Sequence, residues 1–397
     1  MQLPTNHLTT QLSNHLVLMQ PRSSLYDLTF DDLQALVAGW NEPAFRARQI
    51  WEWLYHRLAD SFDAMTDLPR RLRERLAAEF AVTRLSPRID LLSEDGWTRK
   101  ILFELPDGKQ IETVLMGYER RRTVCVSTQA GCAMACPFCA TGQGGFQRNL
   151  TMGEIVEQVL YFERMLRRDE GGRMKDEETR RTKDEGLKTT RLPDYSTVRL
   201  TNLVFMGMGE PFANYTATIE ALRRLSDSSG WNFGARRMTV STVGLIPGIQ
   251  KFTRDGGQVN LAVSIHAATD DLRDQLVPIN KRYPLRDLIA ACRAYVEATH
   301  RRMSFEWALI DGVNDTIEQA RALAQLAQQL PKHLIHVNLI PLNPTRDYPG
   351  AASRRGRIAA FRAEIDRHGI PNTLRIRRGI DINAGCGQLR QAAESAG

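Results

Sequence analysis

Nowhere in the 397 residues does an apolar run reach the roughly 20 residues that a bilayer-spanning helix needs. The opening stretch MQLPTNHLTTQLSNHLVLMQ lacks both a basic lead and a sustained apolar block. That argues against a secretory leader, and the expected setting is the reducing cytoplasm with no membrane partner. Cysteine is scarce, six in all. In a reducing compartment, clustered cysteines bind metal or react more often than they form permanent disulfides. An acidic excess is also missing: the formal net charge is +7. Arginine comes in clusters, at 70–76, 119–122, 235–237, 354–357 and 375–378, which points to an anionic partner such as nucleic acid. With 42% hydrophobic and 25% charged residues, the chain reads as a soluble globular protein of two or three domains.

Residues 1–20 are polar and read as a disordered tail. A helical module over 21–90 follows. Thr29 and Asp32 have capping-box spacing ahead of LQALVAGW. FRARQIWEWLYHRL (45–58) puts Ile50, Trp53, Leu54 and Leu58 on one helical face, and 68–80 reads as a third helix with an outer face of arginine. Residues 91–122 read as a β-hairpin linker, with alternating strands around a Pro-Asp-Gly turn. From 123 to 380 strands alternate with amphipathic helices. Six strand candidates, at 123–128, 200–207, 237–242, 259–266, 304–310 and 336–342, predict a parallel α/β sheet with covered faces. An open doubly wound sheet and a partial barrel both satisfy this pattern, and either places ligands at the C-terminal strand ends. The stretch 167–191 is charged at most positions and nearly devoid of apolar residues. It reads as a flexible insertion, reaching at most to 198, because it cannot bury enough surface to order itself. Residues 381–397 form a C-terminal loop and tail.

GCAMACPFCATG (131–142) follows the first parallel strand and spaces Cys132, Cys136 and Cys139 as Cys-x3-Cys-x2-Cys. A closed zinc site takes four ligands, usually from two pairs. No second pair exists here. Cys292 sits alone on an amphipathic helix and reads as a core residue, and Cys386 sits alone between glycines near the end. Three thiolates on an iron–sulfur cluster leave one iron open to a small molecule.

The cluster motif after the first strand of a strand–helix repeat resembles the radical S-adenosylmethionine (SAM) superfamily. The longer runs VCVSTQAGCAMACPFCATGQGGFQRNLT, FMGMGEPFANY, RRMTVSTVGLIPGI, LAVSIHAATDDLRDQLVPIN, LIPLNP and RRGIDINAGCGQL resemble the RlmN/Cfr family of RNA adenosine methyltransferases. The resemblance covers roughly residues 30–390. It implies a partial (βα)6 radical-SAM barrel with a small N-terminal helical domain. It also implies a [4Fe-4S] cluster on Cys132, Cys136 and Cys139 that binds SAM at its open iron, with two SAM molecules used per turnover.

Adenine C2 lies between two ring nitrogens and is electron-poor, so it does not attack a sulfonium methyl by displacement, whereas a carbon radical adds to it. By resemblance, Cys386 carries the methyl group, Glu112 in IETVL accepts a proton, and Cys125 in VCVST resolves the RNA adduct through a transient disulfide. Alone, Cys125 would pass for a core residue and Glu112 for an exposed strand carboxylate. Gly209, Glu210, Ser241, Ser264, Ile265, His266 and Asn343 match the family's SAM contacts. Asn383 and Gly385 depart from the pattern, which has Asp and Ala there.

The implied partners are 23S rRNA, at an adenosine of the peptidyl-transferase loop, and tRNA, at the adenosine 3′ of the anticodon. A low-potential electron donor such as flavodoxin or ferredoxin would serve a monomeric enzyme. Two other readings stand beside this one: a Cfr-like C8 methyltransferase, and a non-catalytic RNA-binding protein with a structural zinc.

Overall fold

A computed structural model describes residues 23–180 and 199–390, the side chains of 169–180 excepted. The expected tail over 1–20 and the last residues, 391–397, lie outside the described residues.

The chain enters with β1 (Ser23–Ser24), α1 (Phe30–Gly39), α2 (Phe45–Tyr55), α3 (Arg70–Glu79) and β2 (Phe80–Ala81), which pairs parallel with β1. The capping box forms: Asp32 N–H donates to Thr29 Oγ1 at 3.0 Å and Thr29 N–H to Asp32 Oδ2 at 2.9 Å. The buried face of α2 is Ala47, Ile50, Trp51, Leu54 and Tyr55. This differs from the expected stripe. Trp53 is half-buried because its indole N–H turns out to Asp67, and Leu58 lies past the helix end. The outer face of α3 is not purely arginine either, since Arg70 pairs with Glu74 at 2.7 Å and Arg75 with Glu79 at 3.7 Å.

Next come β3 (Ser86–Leu92), β4 (Thr98–Glu104), β5 (Gln110–Tyr118) and β6 (Arg121–Cys125), an antiparallel meander. A small antiparallel pair, β7 (Gln129–Gly131) and β8 (Phe146–Asn149), flanks the short helix α4 (Ala140–Gln143). Then α5 (Met152–Arg180), β9 (Asn202–Phe205), α6 (Tyr215–Ser226), β10 (Met238–Thr242), α7 (Ile246–Asp255) and β11 (Asn260–Ser264) follow. The chain closes with α8 (Asp270–Leu276), α9 (Leu285–Thr299), β12 (Met303–Leu309), α10 (Ile317–Ala327), β13 (Ile335–Pro341), α11 (Arg355–Arg367) and β14 (Asn372–Leu374).

Ten strands form one sheet in the order β14-β13-β12-β11-β10-β9-β6-β5-β4-β3. Strands β6 and β9 through β14 run parallel, and the meander continues the same sheet antiparallel. All six expected parallel strands appear, with ends within three residues. The hairpin is therefore part of the main sheet rather than a linker, and its Pro-Asp-Gly turn closes with Gly108 at φ 77°. The N-terminal helices share the sheet's core: buried residues from Leu25 to Leu389 form one contiguous cluster. Arg224 on α6 pins the two parts together. Its guanidinium lies 4.4 Å over the Trp51 ring and donates to Tyr55 Oη at 3.0 Å.

The charged stretch behaves differently from expectation over its first part. Helix α5 continues to Arg180. Asp169 with Arg173, Arg173 with Glu177, and Asp176 with Arg180 have the i,i+4 spacing of opposite charges, and Arg, Lys, Glu and Met are good helix formers. Helix is thus available there without burial. Residues 181–198 lie outside the described residues. No helix among the described residues is long and apolar enough to cross a membrane.

Candidate active site

Side chains alternate across a strand, so residues two apart share a face. Thr123 and Cys125, Asn202 and Val204, Thr239 and Ser241, Ser264 and His266, Glu306 and Ala308, and Ile340 and Leu342 all line one cavity of about 360 Å³. The cavity lies against one face of the parallel sheet, toward its C-terminal ends. The cysteine loop 132–142 forms a second wall, and residues 375–378 and 384–389 form a third.

Cys132, Cys136 and Cys139 all border this space, the first two buried. Burial pushes the Cys132 thiol up to about 12 and Cys136 well above its usual value, with the neighbouring cysteines adding to the Cys136 shift. Coordination to a metal removes that proton. Among the described residues, no three His, Cys, Asp or Glu side chains close around a single ion. A mononuclear site with ~2.3 Å metal–sulfur bonds draws its sulfurs to about 3.8 Å of one another. A cubic cluster gives each thiolate its own iron and does not ask for that convergence. The loop is also built for close approach. Ala135 holds φ 53°, and a Cβ on Gly142 would meet the Cys136 backbone at 3.0 Å. The donor set, three thiols on one wall of a cavity, fits a cluster with one open corner.

The opposite wall is polar and fixed. Glu210 is buried; its two carboxylate oxygens accept from Phe212 N–H at 3.0 Å and Val243 N–H at 2.8 Å, and burial raises its pKa to about 7. Gly209 sits at φ 100°, and a Cβ there would meet Gln129 at 2.6 Å. Ser241 and Ser264 face each other at 3.5 Å between their hydroxyls. His266 takes φ 55°, a left-handed conformation costing about 1–2 kcal/mol for a residue with a Cβ. Its Nδ1 accepts from Ala308 N–H at 2.9 Å, which leaves the ring proton on Nε2. Burial drives its pKa down to about 3, so the ring is a neutral donor. Ile265 does not reach the cavity: its side chain is fully buried in the core, and only its backbone serves the site. Its carbonyl accepts from Arg273 Nε at 3.0 Å.

Asn343, just past β13, donates to the backbone carbonyl of Cys386 at 3.0 Å, and its buried Oδ1 has no hydrogen-bond partner among the described residues. Cys386 is open to the cavity yet deep among protein atoms. Burial, then Cys139 and Glu306, push its thiol up to about 11, against Arg375. Cys125 borders the same cavity, and burial raises its thiol to about 12, with Cys386 as the next cause. Glu112 is the exception among the expected reacting groups. It does not line the cavity, because its carboxylate is covered by the loop that carries Cys386.

Three contributors were not read from the sequence. Glu306 borders the cavity from β12; its Oε1 accepts from Ser304 Oγ and Asn338 Nδ2, each at 2.7 Å. Arg273, fully buried, donates to the carbonyls of Val243, Ser264 and Ile265 and so fixes the ends of β10 and β11. Lys100 pairs with Glu112. Arg273 lies inside the quoted run LAVSIHAATDDLRDQLVPIN, where an arginine among apolar residues was the available signal.

A parallel α/β sheet with a three-cysteine loop past its first parallel strand, opposite a polar wall built from the other strand ends, defines a radical SAM enzyme. The crystal structure of a radical SAM methyltransferase from Sphaerobacter thermophilus superposes with a TM-score of 0.83 at 50% identity, covering 93% of this chain and 99% of that one. A family model described as the ribosomal RNA large subunit methyltransferase N-terminal domain matches residues 23–82. A relative in Roseiflexus castenholzii, named probable dual-specificity RNA methyltransferase RlmN, is 48% identical over 380 residues, spanning 92% of this chain and 95% of that protein. One of the same name in Chloroflexus aurantiacus is 48% identical over 92% of each chain. The chain belongs to the RlmN family of radical SAM RNA methyltransferases. That membership removes the reading as a non-catalytic zinc protein.

Proposed function

We propose that the enzyme methylates C2 of adenosine in 23S rRNA and in tRNA, through an S-methylcysteine on Cys386 and a transient Cys386–Cys125 disulfide. One observation carries this: two cysteines outside the cluster motif, Cys125 and Cys386, border the same cavity as the three within it. A radical source alone needs neither.

Cys132, Cys136 and Cys139 would hold the [4Fe-4S] cluster. Glu210 offers a carboxylate to the ammonium of SAM, and Ser241, Ser264, His266 and Asn343 offer hydroxyl, imidazole and amide groups around the rest. When bound, the cluster and SAM supply an activated methyl group and, from a second SAM, a carbon radical. Cys386 accepts the methyl as a thiolate. After that methyl loses a hydrogen atom, its carbon joins adenine C2 and the RNA hangs on Cys386. Glu112 takes the C2 proton once its carboxylate is uncovered. The unpaired electron that radical addition leaves on the ring would pass to the oxidised cluster. Cys125, as a thiolate, then attacks the Cys386 sulfur, and the S–CH2 bond breaks with its electron pair on carbon. That carbon takes up a proton to become the methyl of the departing RNA as the disulfide forms.

The RNA path fits the lip of the cavity. Arg375, Arg377 and Arg378 border it together with Ile376, which is 73% exposed. Arginines suit the phosphates, and an exposed apolar side chain suits a gap left by a flipped base. The remaining expectations, a cytoplasmic monomer served by flavodoxin or ferredoxin, go with this reading. Mass spectrometry of ribosomal and transfer RNA from cells with and without the gene tests it. We expect 2-methyladenosine in both RNAs to vanish with the gene; loss of 8-methyladenosine instead would establish the Cfr-like alternative.

A further inference from the structure

Lys100 on β4 and Glu112 on β5 are diagonal neighbours on one sheet face: Lys100 lies opposite Val114, and Glu112 opposite Leu102. Their charges meet at 2.7 Å with both side chains more than nine-tenths buried. Neither stops at the other. Lys100 Nζ also donates to the carbonyl of Asn383 at 3.2 Å, and Glu112 Oε2 accepts from Arg390 N–H at 2.8 Å. Asn383 and Arg390 bracket the segment that carries Cys386. Asn383 takes φ 51°, a left-handed turn that asparagine tolerates, and it sends its carbonyl to Lys100.

Between these two anchors the loop docks on the cysteine helix. Ala140 N–H donates to Gly387 O at 2.7 Å, and Thr141 Oγ1 to Leu389 O. The backbone of Glu112 makes neutral contacts, its N–H donating to Met208 Sδ and its carbonyl accepting from Ser127 Oγ, while the charge of Arg390 adds to that of Lys100 in favouring the ionised carboxylate against burial. Among the described residues Lys100 is thus the one cationic side chain hydrogen-bonded to this buried carboxylate, with a backbone N–H of the carrier loop as its second donor. A buried ion pair that served stability alone would gain little over an apolar pair. This one joins two parts of the site that must move relative to each other.

We propose that Lys100 is a positioning residue that clamps Glu112 to both ends of the carrier loop, so that the carboxylate holds the loop in this docked state and turns to the cavity only when Arg390 lets go. Loop docking and availability of the base are then mutually exclusive, with Lys100 as the pivot common to both states. The second half of this statement rests on the reading of Glu112 as the base; the clamp itself does not.

The test is amide hydrogen exchange of the peptide covering 383–390 in the cluster-loaded, full-length enzyme. It compares wild type, Lys100→Met, Lys100→Arg, Glu112→Gln and the double variant Lys100→Met/Glu112→Gln. We expect exchange at least about tenfold faster in Lys100→Met and Glu112→Gln, and close to wild type in Lys100→Arg. The double variant should be no faster than the faster single one, because both remove one clamp. Unchanged exchange in the folded single variants, or additive effects in the double, would overturn the clamp. Should Lys100→Met fail to fold, the near-isosteric Glu112→Gln reads the same loop. Single turnover with RNA separates the two ideas. Loosened exchange with normal product release in Glu112→Gln would sink the base while sparing the clamp.

Discussion

The side-chain amide of Asn343 donates to the backbone carbonyl of Cys386 at 3.0 Å, while its own buried oxygen has no partner among the described residues. A buried acceptor left bare costs about 1–3 kcal/mol, and it awaits a donor from whatever fills the cavity. Asn343→Ala should weaken SAM binding by roughly 10- to 100-fold. It should also loosen the carrier loop. Isothermal titration of SAM into the cluster-loaded variant checks this, and unaltered affinity would remove Asn343 from the binding set.

Gly385 explains how that contact is made so closely. A Cβ at this position would meet Asn343 Nδ2 at 2.6 Å and Gln388 Oε1 at 2.7 Å. Here the departure from the expected alanine has a consequence: the glycine lets the loop sit tight on Asn343. Gly385→Ala should push the loop away, breaking the Asn343–Cys386 hydrogen bond while leaving the fold intact. The expected readout is faster exchange over 383–390 with a melting temperature within about 2 °C of wild type.

The role of Cys125 gives the sharpest chemical test. Cys125→Ala removes the resolving thiol but keeps the cavity. RNA should accumulate covalently on Cys386, visible as a protein–RNA band that survives denaturation but not ribonuclease. Free methylated RNA at the wild-type rate would refute the assignment.

The motifs made the site legible because each lies at a strand end, and strand ends of a parallel sheet converge. Cys132, Cys136, Cys139, Gly209, Glu210, Ser241, Ser264, His266 and Asn343 therefore meet in one cavity although up to 211 residues separate them, the span from Cys132 to Asn343. What could not be read was long-range pairing without a motif. Glu112 by itself reads as an exposed strand carboxylate, and nothing in the sequence marks Lys100 as its partner, yet the loop at 383–390, about 280 positions on, covers both. Strand β3 was missed because its residues are all exposed, so no alternation marks it. Helix α5 was underestimated because charge content suggested disorder where spacing of opposite charges favours helix.

Iron content separates the cluster cysteines from the rest. Replacing Cys132, Cys136 or Cys139 by serine should abolish the visible absorption of anaerobically purified protein. Cys292→Ala should keep it, since Cys292 is fully buried in the core and does not line the cavity. The cost there is packing, about 1–2 kcal/mol for a small buried side chain, read as a lower melting temperature. Loss of iron in Cys292→Ala, with the fold retained, would contradict the division.

The pH dependence of methyl acceptance follows from the position of Cys386. Burial is the first cause that lifts its thiol to about 11, so near neutrality only a small fraction is thiolate. The rate of S-methylation in a single turnover, read by intact mass, should rise about tenfold per pH unit between about pH 7 and about pH 9. An ordinary exposed cysteine would level off near pH 8.5. Glu306→Gln removes a like charge that raises the thiol's pKa, and should speed the reaction at fixed pH. Arg375→Gln removes a charge that lowers it, and should slow the reaction. The same shift has a sign for stability. A thiol whose folded-state pKa is raised favours the fold below its ordinary value of about 8.5, and that contribution fades as pH climbs toward about 11. Below pH ~8.5, then, the titration of this thiol adds no loss of stability to the measured rate. A profile that flattens near pH 8.5 would place the carrier thiol in water and not in this cavity.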